Sequence, residues 1–297
     1  MATEVTRLAD GFTFLESPRW HDGMLYLSDF YSHRVLRSAD GREFETVCEV
    51  AGQPSGLGFD PQGRLLVVSM TDRRLLRFEA GAPGLTEVAD LAALATYHCN
   101  DMVVDGHGRA YVGNFGSDVD AEGIAPASLI LVEADGQART VAAGLIFPNG
   151  MAITPDGKTL LVAETFAYRI TAYDIGADGS LRAPRVWAQL GDGRDPARTM
   201  ADVFASGNVT PDGVCLDADG ALWIADATGT GAIRMSASGE RLDYVRTGTD
   251  AVYAVALGGT DGRMLFMCAA PPLGRSDPAR ESRGALLSCT VDVPAAH

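Results

Sequence analysis

Short apolar runs alternate with polar turns along most of this chain, and the alternation repeats. Six segments share one layout: Glu16-SPRWHDGMLYLSD, Ser55-GLGFDPQGRLLVVSM, Asn100-DMVVDGHGRAYVGN, Asn149-GMAITPDGKTLLVAE, Asp212-GVCLDADGALWIAD and Tyr253-AVALGGTDGRMLFMC. Each runs from a leading residue through an apolar stretch to a Gly turn, then through a second apolar stretch. The turn glycines are Gly23, Gly63, Gly108, Gly157, Gly220 and Gly262, seven to nine positions after the leading residue. Turn tetrads such as PQGR, PDGK, ADGA and TDGR carry the Gly that a tight hairpin needs for positive φ. The flanking runs RLLVVSM, TLLVAE and ALWIAD are short and β-rich. Long amphipathic helical windows are absent, and the LAALA stretch near Leu91 has room for one or two helical turns at most.

The leading residues are spaced by 39, 45, 49, 63 and 41 positions. Four short strands fill such an interval, which is near the roughly 40–50 residues of propeller repeats. After each hairpin comes a third strand, as in RRLLRFEA, ASLILVEA, YRITAYDI and GAIRMSA, and then a weaker fourth. The pattern predicts an all-β fold, a six-bladed β-propeller forming one domain over residues 1–297. Few residues follow Leu287, so the N-terminal segment EVTRLAD is expected to complete the last blade and close the ring. Three Gly-, Asp- or Pro-rich insertions enter at the face of the leading residues: SDVDAEGIAPA after Gly116, GDGRDPARTMADVFASGN before Asp212 and PPLGRSDPARES after Ala270. They read as loops and as candidate pocket walls.

Charge and cysteine usage narrow the function. The formal net charge of −15 repels phosphates, which argues against nucleic acid and anionic membrane as partners. The five cysteines have no paired short spacing, so a thiolate zinc site is not expected, and the odd count suggests reduced thiols in a cytoplasm. The start, MATEVTRLADGF, has no apolar signal region, and no window approaches the ~18 apolar residues of a spanning helix. A soluble cytoplasmic protein is expected, a monomer or small homo-oligomer.

In a propeller the first strand of each blade lines the central channel, so the leading residues meet at one mouth. Glu16, Asn100, Asn149 and Asp212 therefore form an all-oxygen set with two negative charges, which suits Ca²⁺; Mg²⁺, Mn²⁺, Fe²⁺ and Zn²⁺ also remain compatible. Asn149-Gly150 and Asp212-Gly213 are turn dipeptides too. The hairpin glycines are already assigned at Gly157 and Gly220, which leaves Asn149 and Asp212 unexplained as turns. The second strands end at Asp29, Met70, Asn114, Glu164, Asp226 and Cys268. Four of these are polar. They either orient the ligands, with Glu164 and Asn114 the first candidates, or bond to backbone between blades.

The motifs ESPRW at Glu16, CND at Asn100-Asp101, FPNGMAITPDG around Asn149 and TPDGVCLDADGALWIAD around Asp212 together resemble the senescence marker protein/gluconolactonase (regucalcin-like) family, which also contains diisopropylfluorophosphatase-like hydrolases. The resemblance spans essentially the whole chain. It implies one divalent metal in the channel, held by Glu16, Asn149 and Asp212. It also implies that Asn100 serves metal or substrate and that Asp212 accepts and donates the proton. Sugar-lactone members often carry Arg two residues before the Asn; here that residue is His98, which puts aldonolactone specificity in doubt. His98 reads either as a substrate contact or as a loop residue on the rim.

The expected reaction is metal-dependent opening of a lactone, with Asp212 as proton acceptor and Asp101, which adjoins Asn100, as second choice. Asp101 is also a candidate substrate contact, with His98 and Asn100. There is no G-x-S-x-G elbow, P-loop or HExxH, and the GTGTG run near Gly229 has no following helix. His21, His33, His107 and His297 read as surface residues. Two alternatives stay open: a phosphotriesterase or other esterase using the same channel, and a non-enzymatic propeller with a structural metal.

Overall fold

The computed structural model describes residues 4–79, 81, 84–193 and 196–296. His297, and Arg194 and Asp195 of the long insertion, lie outside the described residues. The described strands form six four-stranded antiparallel sheets, the blades of a β-propeller. Each blade begins with an inner strand: Leu15–His21, Pro54–Phe59, Cys99–Val104, Pro148–Ile153, Pro211–Leu216 and Ala251–Gly258. Every inner strand packs against the next, and the first packs against the last, so the ring is continuous.

The hairpins form where the Gly turns predict them. All six turn glycines have positive φ, between 69° and 81°, which a side chain would disfavour. The closing strand is also where the sequence puts it. Thr6–Phe12 pairs antiparallel with Gly284–Thr290 and becomes the outermost strand of the sixth blade. A single blade has two apolar faces and cannot bury both, so the core lies between blades. One apolar cluster joins the second and third blades through Val68, Leu75, Met102 and Val112; another joins the sixth to the first through Leu25, Leu27, Phe266 and Leu286. Cys99, Cys268 and Cys289 are buried and all five cysteines are free, as expected of small core residues.

One element stays within its expected limit and one differs from the sequence reading. LAALA forms only a turn, closed by the amides of Leu94 and Ala95 on the Leu91 carbonyl. The insertion before Asp212, read as loop, contains an α-helix, Met200–Ser206. Its signal was present as TMAD: Thr199 caps the Asp202 amide while the Asp202 carboxylate accepts from the Thr199 amide. Of the expected surface histidines, His33 and His107 are exposed, but His21 is half-buried and stacked on Phe59 at 3.8 Å.

Candidate active site

The leading residues owe their orientation to a shared irregularity. In every blade the pairing of inner and second strand slips at the leading residue: Glu16/Arg19, Pro54/Leu57, Cys99/Met102, Pro148/Met151, Pro211/Val214 and Val252/Ala254. A slip of this kind bends the strand and re-aims a side chain. Here it turns Glu16, Asn100, Asn149, Asp212 and Tyr253 into one cavity of about 400 Å³ at the channel mouth. Ser55 stays buried behind this floor, its hydroxyl 3.4 Å from Asn100 Oδ1. The glycine after the leading residue answers a second demand. A Cβ on Gly150 would lie 2.5 Å from the Asp212 carbonyl oxygen, and one on Gly213 would lie 2.6 Å from Ala254 Cα. Neighbouring inner strands thus touch backbone to backbone.

The floor is electrostatically unbalanced. Asn100, Asn149 and Asp212 are buried, and Glu16 keeps a little exposure to the cavity. Among the described residues neither Glu16 nor Asp212 forms an ion pair, and Asp212 Oδ1 has no hydrogen-bond partner. Burial raises the Glu16 pKa well above the usual carboxylate range, and the charges of Asp212 and Asp101 push it further. Asp212 is raised likewise, by burial first and then by Asp101. No three His, Cys, Asp or Glu side chains gather as a metal cluster among the described residues. The donor set is instead two carboxylates and two carboxamides, and each carboxamide nitrogen is already used. Asn100 Nδ2 donates to the Pro148 carbonyl at 3.3 Å and Asn149 Nδ2 to Thr165 Oγ1 at 3.3 Å.

Asp101 has a different setting. It is buried outside the cavity lining, and one of its oxygens accepts from Ser17 Oγ at 2.9 Å, Arg19 Nη2 at 2.9 Å and the Met102 amide at 2.7 Å. Arg19 also donates to the carbonyls of Leu57 and Met102. The network ties the first three blades together beside the site. His98 is half-buried and outside the cavity lining, stacked on Tyr97 at 4.1 Å and edge-on to Phe115 at 6.1 Å. Burial, and secondarily Arg73, lower its pKa and favour the neutral ring.

The polar residues ending the second strands spend their hydrogen bonds away from the four floor side chains. Asp29 accepts from the amides of Thr13 and Phe14, Glu164 from the Ile146 amide, Arg169 and Thr171, and Asp226 from the Thr210 amide. Asn114 accepts from Thr96 Oγ1 and the Gly116 amide and donates to the Ser128 carbonyl. Glu164 and Asn114 therefore fasten the loops around their own blades. The group that reaches Asn149 is Thr165, one position beyond Glu164. It accepts from Asn149 and donates to the Pro211 carbonyl at 2.8 Å, immediately before Asp212.

The walls carry a signal that the sequence reading did not use. Phe14 and Phe147 stand two positions before a leading residue, as His98 does, and Phe30 and Phe115 stand one position after a second strand; all four phenylalanines line the cavity. Phe115 stacks on Phe147 at 4.6 Å, and Phe147 meets Phe166 at 4.6 Å with the rings tilted by 49°. All three insertions contribute as expected: Val119 and Asp120 from the first, Met200 and Phe204 from the helix, Leu273 and Gly274 from the third.

A closed six-bladed propeller with an oxygen-lined, acidic cavity floor in its channel defines the class. Residues 14–271 match the SMP-30/gluconolactonase/LRE-like region, and the chain belongs to that family. It is 29% identical to the pentonolactonase of Haloferax volcanii over 281 residues, covering 90% of this chain and 85% of the relative. It is 25% identical to the 6-deoxy-6-sulfogluconolactonase of Pseudomonas putida over 255 residues, covering 85% and 81%. Among solved structures, the calcium-binding protein regucalcin from Agrobacterium tumefaciens superposes with a TM-score of 0.77 at 17% identity, covering 99% of this chain and 95% of that one. This last likeness is one of fold.

Proposed function

We propose that the protein is a divalent-cation-dependent hydrolase that opens a lactone. The observation that carries this is a pair of carboxylates without an ion-pair partner among the described residues, the buried Asp212 and the largely buried Glu16, sharing a cavity floor with Asn100 and Asn149. Two like charges cannot both ionise in such a place without a cation. The donors are all hard oxygens, which fits Ca²⁺ and leaves Mg²⁺, Mn²⁺, Fe²⁺ and Zn²⁺ to be compared. Glu16, Asn149 and Asp212 would hold the ion, with Asn100 beside it. Bound there, the cation supplies Lewis-acid polarisation of the ester carbonyl. The named relatives act on lactones, which supports the choice of ester.

In this reading Asp212 takes the proton of the attacking water as the water oxygen bonds to the carbonyl carbon. It returns the proton to the ring oxygen as the ring C–O bond breaks, and a hydroxy acid results. Asp101 serves better as a tuning charge than as the base, because Ser17, Arg19 and Met102 occupy it. Its negative charge raises the proton affinity of Asp212. His98, beside Phe115 and outside the cavity lining, supports the wall rather than the substrate.

The test is a cation-reconstitution series assayed with a lactone panel by pH-stat. Turnover is expected to need added cation and to fall about 10²–10⁴-fold in Asp212→Ala, the range typical of losing a general base. No turnover of any lactone with any cation, or full activity of Asp212→Ala with cation bound, would overturn the reading.

A further inference from the structure

The cavity is polar only at its floor. Above Glu16, Asn100, Asn149 and Asp212 the walls are aromatic and aliphatic, and no Lys, Arg or His among the described residues lines them. The few polar wall groups are largely committed. Thr165 donates to the Pro211 carbonyl, and the Tyr253 hydroxyl donates to the Pro271 carbonyl at 2.9 Å. Tyr31 and Asp120 remain. A second observation points the same way. Of the five large hydrophobic side chains exposed among the described residues, Tyr31, Phe204 and Leu273 all lie at this one mouth. The other two, Val186 and Leu242, sit apart on the outermost strands of two blades. Exposed apolar surface gathered at one opening marks a binding site for apolar matter.

We infer that the substrate is a lactone carrying an alkyl or aryl substituent, not a polyhydroxylated sugar lactone. This deepens the lactonase reading and rests on it. The ester group sits at the oxygen-lined floor, and the substituent extends between the Phe115–Phe147–Phe166 row and the apolar mouth. A sugar ring in the same place would strip water from several hydroxyls and offer them few partners. A sulfonated or phosphorylated sugar would meet no cationic side chain on the described walls.

The experiment compares an alkyl-substituted δ-lactone and a benzo-fused δ-lactone with glucono-δ-lactone on the cation-loaded protein. In parallel, thermal shift and calorimetry follow binding of the matching alkyl δ-lactam and of gluconolactam, which do not hydrolyse. The expected result is a kcat/KM at least about 10²-fold higher for the apolar lactones, and a saturable shift with the alkyl lactam only. Phe204→Ser, at a side chain 53% exposed and so tolerant of change, should raise KM for the alkyl lactone severalfold. Glucono-δ-lactone turned over equally well or better would overturn the inference and leave the lactonase reading standing. Saturable binding of the alkyl lactam without hydrolysis of any lactone would uphold the apolar site and sink the lactonase reading. No binding of the alkyl lactam and no hydrolysis of any lactone would overturn both.

Discussion

Asp212 is the side chain on which the proposed chemistry turns. It is buried, lacks an ion pair among the described residues and has an oxygen without a hydrogen-bond partner. Its pKa and that of Glu16 are raised in the fold above the ordinary value near 4. A carboxyl raised on folding binds its proton more tightly folded than unfolded. Stability is therefore greatest below the unfolded pKa and falls as pH rises towards the folded one. In chelator, thermal unfolding between pH 4 and 9 should show a Tm that declines with pH more than in saturating cation. Asp212→Asn should flatten that decline and unfold at least ~2 °C above wild type at pH 8, about what 1 kcal/mol is worth in a chain of this size. It should also lose most of the rise in Tm that cation gives the wild type. An unchanged pH profile in this variant would mean that Asp212 ionises freely without a cation. Asn149, by contrast, is held through Thr165, whose hydroxyl reaches both Asn149 and the strand of Asp212.

The inner strand is the element that converts sequence repetition into a site. A regular strand sends successive side chains to opposite faces. The slip at each leading residue breaks this alternation, and the following Gly lets the next blade approach. Gly150→Ala puts a Cβ within 2.6 Å of Asp212 O and Gly213 Cα, atoms of backbone that cannot rotate aside. The expected cost is about 1–3 kcal/mol, the usual range for overpacking, read as a lower urea midpoint. Cation affinity should fall with it, because the inner strands carrying Asn149 and Asp212 are the ones driven apart. A variant with wild-type stability and affinity would refute the close approach as the reason for Gly. The short helix Met200–Ser206 works at the same scale. Its capping box fixes where it starts, and Met200 and Phe204 reach the cavity.

For the whole molecule the decisive feature is ring closure. The first strand, Thr6–Phe12, covers the edge of Gly284–Thr290, packs Leu8 and Phe12 against the cluster between the last and first blades, and pairs Arg7 with Asp250 at 2.8 Å. Deleting residues 4–12 exposes that edge to other chains. The expected outcome is concentration-dependent association in light scattering and loss of the cation-induced Tm increase. A monomeric deletion protein that still responds to cation would show that the other strands hold the ring by themselves.

The blade count, the hairpin glycines, the closing strand and the convergence of Glu16, Asn100, Asn149 and Asp212 were legible because each depends on a periodicity that survives in one dimension. The capping box at Thr199 and the phenylalanines flanking the leading residues were also written there and went unread. Other features are set by which chains lie side by side. Asp101 is taken up by Arg19 and Ser17 of the first blade, more than 80 positions away. Thr165 bonds Asn149 and the Pro211 carbonyl at once, Glu164 and Asn114 turn to their own loops, and His98 stands beside Phe115, outside the cavity lining. The sequence by itself determined the ring and the residues presented to its axis, since register and repeat length dictate both. Only the tertiary structure decided which polar groups are used up and which stay unsatisfied, because hydrogen bonds and buried charge depend on neighbours that the ring brings together from distant parts of the chain.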